Sequence, residues 1–239
     1  METAKKDEFV QVEFSAYANG ELFDSTKEEE IKKLNPNAKS KPVIVSVGQQ
    51  MIVPGFDKSL EGKEIGKDYE IKLSPKEAFG DRRRELVRIV PLKVFTDRKV
   101  MPQAGMTLAL DDSIVKILSV SGGRVNVDFN NPLAGKEVTY KFKLTRKVTD
   151  DKERASSLFE SLFRFVPVFE VGEKIVIKGP KILEAYTKAF GPKFKELIGK
   201  ELDFKEEVMK KNENSEHEHS HEGHDHNHEN ETDHSHEHN

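Results

Sequence analysis

All nine histidines of the chain lie in one short segment near its C-terminus. They form three groups with alternate spacing: His217, His219, His221; His224, His226, His228; and His234, His236, His238. Neutral imidazoles on a flexible strand, with carboxylates beside them, can wrap around a nickel or zinc ion without a preformed site. We therefore predict that this tail binds divalent metal ions. The alternatives are a solvated polar tail or an expression tag, although the irregular Glu, Asp, Ser and Asn spacers are unlike a plain His-tag.

The rest of the chain has neither histidine nor cysteine, so it offers no thiolate or imidazole for covalent or metal chemistry. Its most specific string runs from Val47 to Leu60 and reads VGQQMIVPGFDKSL, followed closely by EIGK at residues 64–67. By spacing alone, the apolar residues of such a string could simply be core, and its glycines could be ordinary turn residues. The order of the surrounding motifs decides between these interpretations.

The string from Val47 to Leu60 resembles the signature of FKBP-type peptidyl-prolyl cis/trans isomerases. In that family a glycine and paired aliphatic residues precede the Gly and aromatic residue that open a central helix. Further matches follow in the family's order, at Leu22-Phe23-Asp24, Pro42-Val43, Ala78-Phe79-Gly80 and Leu133-Ala134-Gly135-Lys136. The resemblance covers residues 8–147, and it implies an isomerase that acts on the X-Pro bonds of unfolded or folding polypeptides.

A hairpin-rich segment interrupts the region that corresponds to the family's flap. This is similar to SlyD-like and archaeal long-type members, in which an insert-in-flap domain binds unfolded chains. The match includes Val127-Asp128-Phe129-Asn130, which leads towards Leu133-Ala134-Gly135. The resemblance therefore implies chaperone activity, with nascent or unfolded polypeptides as partners.

Carried over position by position, the resemblance implies a prolyl pocket with ten lining residues. These are Phe14, Phe23, Asp24, Val43, Val45, Ile52, Val53, Phe56, Phe79 and Tyr140. Phe14 and Phe79 stand where family members often have tyrosine, and Val43 stands where a larger aromatic is common. These departures leave open a chaperone that binds proline without turnover. A nickel or zinc metallochaperone on the same scaffold is a third interpretation.

The chemistry of such a pocket needs no cofactor and no acid/base pair. Amide resonance sets a barrier of about 18 to 20 kcal/mol to rotation about an X-Pro bond. A dry apolar cup excludes the water that stabilises the planar amide, so it favours the twisted transition state. The backbone N–H of Val53 is our candidate for holding a substrate carbonyl, and Asp24 is our candidate polar anchor. Asp24 could instead be only a turn or cap residue before Ser25.

Short strands with few helices must position these residues. Alternating apolar residues predict strands at residues 9–14, 43–47, 69–73 and 138–144, and a short helix at 56–60. Ser25 and Glu28 have the spacing of a capping box before a helix at residues 27–34. Strands are also predicted at 107–110, 114–120 and 124–129, the last two joined across Ser121-Gly122-Gly123.

Beyond Lys147 the pattern becomes helical, with an apolar stripe from Ala155 to Val166. A strand at 174–178, a helix opening at Pro180 and a strand near 202–204 predict a small α/β unit. The predicted fold class is α+β, with an antiparallel half-barrel sheet around a short helix. The predicted domains are 1–85 with 132–148 for the isomerase, 86–131 for the insert and 150–211 for the C-terminal α/β domain. Residues 212–239 form a tail that we expect to be disordered.

Composition sets the cellular context. The absence of cysteine fits a reducing cytoplasm, and we find neither a signal-peptide pattern nor an apolar run long enough to span a bilayer. Residues 213–239 hold nine of the 43 acidic groups and none of the 39 basic ones, so the rest of the chain is mildly basic. Its charges are interspersed, which predicts a solvated surface with no nucleic-acid partner.

Overall fold

The computed structural model describes residues 2–111 and 113–207. The strands of this part are β1 (Phe9–Ala18), β2 (Glu21–Ser25), β3 (Val43–Ser46), β4 (Asp68–Leu73), β5 (Val87–Pro91), β6 (Thr107–Leu110), β7 (Ser113–Ser121), β8 (Arg124–Asp128), β9 (Val138–Lys147), β10 (Val168–Val171), β11 (Ile175–Gly179) and β12 (Leu202–Glu206). Its helices are α1 (Glu28–Leu34), α2 (Pro54–Leu60), α3 (Leu92–Thr96), α4 (Asp151–Phe163) and α5 (Leu183–Ile198). Helices are thus combined with mainly antiparallel sheets, as in an α+β fold.

The first sheet has the strand order β2-β1-β9-β4, and β3 also pairs with β1. Each of these pairings is antiparallel. Val10, Val12 and Phe14 alternate along β1 and are buried on one face of this sheet. The short helix α2 packs Phe56 and Leu60 into the same cluster, because both side chains lie on its sheet-facing side.

The second sheet, with the order β5-β8-β7-β6, belongs to the segment between β4 and β9. The predicted hairpin is confirmed: β7 and β8 pair up to Ser121 and Arg124, and Gly122 and Gly123 form the turn. Both glycines have positive φ, of 55° and 73°, which an L side chain rarely adopts. This sheet has its own buried cluster, centred on Phe95, Ile117 and Val127.

A buried polar network joins this second sheet to the rest of the chain. The Asn130 side chain accepts a hydrogen bond from the Arg83 backbone N–H (2.8 Å) and donates one to the Arg83 carbonyl (2.9 Å). It also donates to Asp128 (2.7 Å), whose other carboxylate oxygen pairs with Arg82. The segment that leads into the second sheet at Arg83 and the segment that leaves it at Asn130 therefore lie side by side.

The last part of the chain forms a third sheet, with the order β10-β11-β12. β10 is antiparallel to β11, whereas β12 is parallel to it because α5 provides the crossover. Helices α4 and α5 bury Phe159 and Phe194 against this sheet. Phe9 of β1 belongs to the same cluster, so the first sheet contacts this last part of the chain directly.

Two local predictions were wrong, and four elements were missed. Ser25 does not form a capping box with Glu28, because it pairs with Ser15 at the end of β2 and its hydroxyl donates to Glu30 (2.7 Å). Val166 was predicted to end the helical stripe but lies outside the helix, because α4 ends at Phe163 and Arg164 adopts a left-handed conformation. Strands β2, β5 and β10 and helix α3 were not predicted.

None of the helices in residues 2–111 and 113–207 is long and apolar enough to cross a membrane. The histidine tail, and with it the predicted metal ligands and the expected disorder, lies outside the described residues.

Candidate active site

Stacked aromatic rings form the floor of the candidate site. Helix α2 places Phe56 against the strand β9, where its ring stacks on Tyr140 with centroids 4.2 Å apart. Phe14 of β1 closes this group with edge contacts to Phe56 (5.7 Å) and Tyr140 (5.8 Å). All three residues are at least nine-tenths buried. Edge-to-face and stacked pairs of this kind add stability beyond the burial of apolar area.

Two further phenylalanines form the rim above this floor. Phe23 of β2 lies edge-on to Phe79 at 5.9 Å and to Tyr140 at 6.4 Å. Phe79 is placed by a 3-10 turn over Pro75–Glu77, which is fixed by a capping box between Ser74 and Glu77. Both rim residues are only partly buried, so their rings remain accessible to a ligand.

Gly55 allows this rim to approach α2 closely. A Cβ atom at this position would lie 2.7 Å from the Glu77 carbonyl oxygen and 2.9 Å from Leu73. Any larger residue would push the turn that carries Phe79 away from the helix that carries Phe56. The glycine in the string that first pointed to this region is therefore required by packing.

Asp57 fixes the loop that leads into α2. Its buried carboxylate accepts hydrogen bonds from the backbone N–H groups of Gly48 (3.0 Å) and Gln50 (2.9 Å). These bonds hold the segment that carries Ile52 and Val53 at the edge of the site. Sequence reasoning missed this residue, and the only local signal was an aspartate in the first turn of a predicted helix.

The backbone N–H of Val53 has no hydrogen-bond acceptor among residues 2–111 and 113–207. Val53 is the residue before the first helical position of α2, so no intrahelical bond is available to it. A backbone donor beside an apolar cluster is well suited to bind the carbonyl of a ligand.

The electrostatics of the site centre on Asp24 and Tyr140. Partial desolvation by the neighbouring side chains raises the pKa of the Asp24 carboxyl above its ordinary value of 3.8, against the opposing effect of a hydrogen bond from the Ser25 N–H (2.8 Å). Burial also raises the pKa of Tyr140, and the nearby Asp24 charge raises it further. The phenol therefore stays neutral, and the site holds a single carboxylate with no paired acid or base.

The structure brings the nine apolar residues of the predicted pocket into one cluster. Phe14, Val45, Phe56 and Tyr140 are buried in it, and Phe23, Val43, Ile52, Val53 and Phe79 are partly buried and pack against it. Asp24 lies beside them with an exposed surface. A cavity of about 750 Å³ opens at one side, where Phe14, Asp24 and three of the aliphatic residues line it.

Metal-ligating residues are not part of this site. Within residues 2–111 and 113–207 no group of three or more His, Cys, Asp or Glu side chains is arranged to hold a metal ion. The site is thus mainly apolar, with a free backbone donor at Val53 and the carboxylate of Asp24. Such an arrangement can bind and desolvate an amide, but it supplies no nucleophile.

Comparison with known protein families agrees with this geometry. The model of the FKBP-type peptidyl-prolyl cis-trans isomerase family matches residues 1–95. The model of the FKBP26 IF domain matches residues 88–133, which contain the second sheet except for its first residue, Val87.

Individual relatives give the same result. The chain is 30% identical over 143 residues to the short-type peptidyl-prolyl cis-trans isomerase of Methanocaldococcus jannaschii, covering 59% of this chain and 91% of the relative. It is 31% identical over 131 residues to the FKBP-type isomerase SlyD of Aeromonas hydrophila, covering 54% and 56%. It is 27% identical over 161 residues to SlyD of Helicobacter pylori, covering 65% and 81%. The chain thus spans little more than half of the Aeromonas relative.

Proposed function

Because the chain belongs to the FKBP-type peptidyl-prolyl cis-trans isomerase family, we propose that it catalyses rotation about X-Pro bonds in unfolded or folding polypeptides. The proline ring binds on the floor formed by Phe14, Phe56 and Tyr140. Phe23 and Phe79 cover it from the rim. The remaining lining residues are Asp24, Val43, Val45, Ile52 and Val53.

The observation that carries this proposal is the free Val53 N–H beside a stacked aromatic floor. The N–H holds one substrate carbonyl while the apolar walls exclude water from the amide that rotates. Water stabilises the planar amide by hydrogen bonding to its oxygen, so its removal lowers the barrier selectively. A reduction of about 5 kcal/mol corresponds to a rate increase of roughly 10⁴-fold. No cofactor takes part.

Asp24 is the polar anchor of this pocket. Its carboxylate lies close enough to Tyr140 to affect the pKa of the phenol. The neutral phenol keeps the floor apolar, and the carboxylate orients the dipole of the substrate amide at the rim.

We assign the isomerase domain to residues 1–85 and 132–148, the insert-in-flap domain to 86–131, and a C-terminal α/β domain to 150–211. The insert exposes large apolar side chains, among them Ile89, Met101 and Ile114, which are 61–70% exposed. Such surface suits transient contact with unfolded chains. The insert therefore acts as a chaperone that delivers polypeptide to the pocket.

The histidines of residues 212–239 support a second role, the binding of nickel or zinc by the tail. The absence of cysteine from the whole sequence supports a cytoplasmic location. The interspersed charges favour polypeptides over nucleic acid as partners.

A paired assay tests the catalytic proposal. A proline-containing tetrapeptide measures turnover in the pocket, and a protein whose refolding is limited by proline isomerisation measures turnover on a folding chain. We expect acceleration in both assays. Suppressed aggregation with no acceleration in either would support instead a chaperone that binds proline without turnover, a role that the missing hydroxyls of Phe14 and Phe79 favour.

A further inference from the structure

A cavity lies beside the aromatic floor of the candidate site. One wall is formed by Phe14, Val43, Val45 and Ile52, all of which belong to the proposed pocket. The opposite wall is helix α4 of the C-terminal domain. At about 750 Å³ the cavity lies in the range that holds drug-sized ligands, which is also enough for a few residues of extended peptide. The groove between the two domains therefore adjoins the prolyl pocket and shares five of its ten lining residues.

Helix α4 forms its wall of the groove with one side only. The lining residues recur at intervals of three and four: Glu153, Ser156, Ser157, Glu160, Ser161 and Arg164. The opposite side of the helix, which includes Leu158, Phe159 and Phe163, is buried in the C-terminal core. The helix is thus held in place from behind, and three serines leave open the space that larger side chains would fill.

Helix α4 is also anchored at the end nearest the first sheet. Asp150 caps it by accepting a hydrogen bond from the Glu153 N–H (2.9 Å). The Glu153 carboxylate in turn pairs with both terminal nitrogens of Arg146 on β9, at 2.9 and 2.7 Å. The width of the groove is therefore set by contacts between the two domains.

The charged residues of the groove are unevenly paired. Lys39, Lys41, Lys152 and Arg164 line it. In the described part of the chain none of these four cations forms an ion pair. Glu153 is neutralised by Arg146. Asp150 caps the helix but keeps its charge, so three carboxylates without an ion pair, Asp24, Asp150 and Glu160, face the four cations. The uncommitted charge along the groove is positive.

We propose that this groove binds the extended segment of substrate chain next to the proline, and that it selects segments carrying acidic residues. The proposal rests on the proposed isomerase function and gives the C-terminal domain a direct part in substrate binding. The proline occupies the aromatic floor, and the neighbouring residues run along β3 and the serines of α4. Their carboxylates pair with the four cations.

Proline peptides of graded length test this with the full-length protein. One peptide spans only the pocket, and others add four residues before or after the proline, carrying glutamate, serine or lysine. When the peptide is extended in one of the two directions, we expect kcat/KM to be highest for the glutamate peptide, intermediate for the serine peptide and lowest for the lysine peptide. The highest and lowest values should differ by at least about fivefold, and this difference is called the span. The span should shrink at high salt, because exposed charges are screened. Equal values for all long peptides would overturn the proposal.

Two variants separate the groove from the pocket. Ser156→Tyr fills the groove, and its control Ala185→Tyr adds the same bulk on an exposed position of α5 that does not line the cavity. Lys41→Glu with Arg164→Glu reverses the charge of exposed groove residues, and its control is Lys181→Glu with Lys188→Glu on exposed positions away from the cavity. The charge reversal keeps the test decisive if the serine variant fails to fold.

We expect Ser156→Tyr to reduce turnover of the long peptides alone, and the groove charge reversal to invert the ranking of glutamate and lysine. Loss of turnover on the shortest peptide in step with the long ones would contradict a separate groove. Failure of the unaltered protein to turn over even the shortest peptide would overturn the isomerase function itself, which is a distinct result.

Discussion

The phenol ring of Tyr140 lies flat against the ring of Phe56, with the two planes inclined by 19°. This pair closes the bottom of the proposed pocket. We predict that Tyr140→Leu or Phe56→Ala lowers kcat/KM for proline peptides at least about tenfold, because the floor is no longer closed to water. The large-to-small change at Phe56 also costs about 3 to 5 kcal/mol of stability, so unfolding must be measured in parallel.

Phe142→Leu is the matched control for Tyr140→Leu. Phe142 lies two residues further along β9, is equally buried and also contacts Phe56. Both variants should lose comparable stability, but only Tyr140→Leu should lose turnover. Unchanged activity of a folded Tyr140→Leu variant would show that the pocket lies elsewhere.

Asp57 is predicted to act as a positioning residue. Asp57→Ala leaves the Gly48 and Gln50 N–H groups without their acceptors, which costs about 1 to 3 kcal/mol and frees the loop that carries Val53. Asp57→Asn keeps one acceptor oxygen, so its stability should lie between those of the unaltered protein and Asp57→Ala. We expect KM to rise from the unaltered protein to Asp57→Asn and further to Asp57→Ala, while the aromatic floor stays intact. A stability loss with unaltered KM and kcat would make Asp57 purely structural.

The raised pKa of Asp24 predicts a pH-dependent contribution to stability. The folded chain retains this proton to higher pH than the unfolded chain does, so the Asp24 contribution to the free energy of unfolding falls as pH rises through the window above 3.8. Asp24→Asn removes this dependence. Urea unfolding between pH 3.5 and 7 should therefore show the variant gaining stability relative to the unaltered protein as pH increases. If the variant instead lost stability relative to the unaltered protein as pH increases, the ionised Asp24 carboxylate would be stabilised in the folded state.

The exposed apolar residues of the insert should determine chaperone activity without affecting the pocket. We predict that replacing Ile89, Met101 and Ile114 together with serine reduces suppression of aggregation several-fold, while tetrapeptide turnover stays within about twofold. Val166, Val168 and Ile182 of the C-terminal domain are also exposed, at 46–69%, and provide a triple control. Equal losses in both triple variants would indicate nonspecific hydrophobic contact.

Removal of residues 213–239 should abolish tight nickel or zinc binding and leave peptide turnover unchanged. Every histidine of the chain lies in this segment, and the carboxylates that remain favour harder ions. Binding to the full-length protein should weaken as pH falls through about 6.5, because protonated imidazole is not a ligand. Calorimetric titration of both forms at two pH values measures this. Equal affinity in the two forms would locate the metal site outside the tail.

Local patterns predicted the elements that carry strong local signals. The Gly122-Gly123 turn and the alternation of Val10, Val12 and Phe14 specify their hairpin and strand without help from the rest of the chain. Strand β5 has no such signal, because most of its residues are at least partly exposed and its backbone pairing with β8 forms it. Ser25 illustrates the reverse case, in which pairing with β1 overrides a helix-cap pattern.

The ordered motifs brought the apolar pocket residues to notice, but not the polar residues that hold them. The role of Asp57 depends on how the loop of residues 48–53 folds back over α2. The groove depends on α4 packing near β3, more than 100 residues away in the chain. Contacts over such separations are set by tertiary packing, which periodicity does not encode.

At its start, strand β1 is buried on both faces. Phe9 is 2% exposed and belongs to the C-terminal cluster, whereas its neighbour Val10 is fully buried in the cluster of the pocket. The Val148 N–H also bonds to the Phe9 carbonyl (2.8 Å), which attaches the start of the C-terminal part to the same residue. Removing the last helices and strands would leave one side of this strand as a bare apolar surface. We therefore expect the two parts to unfold cooperatively, and a fragment ending at residue 148 to be less stable and prone to aggregation.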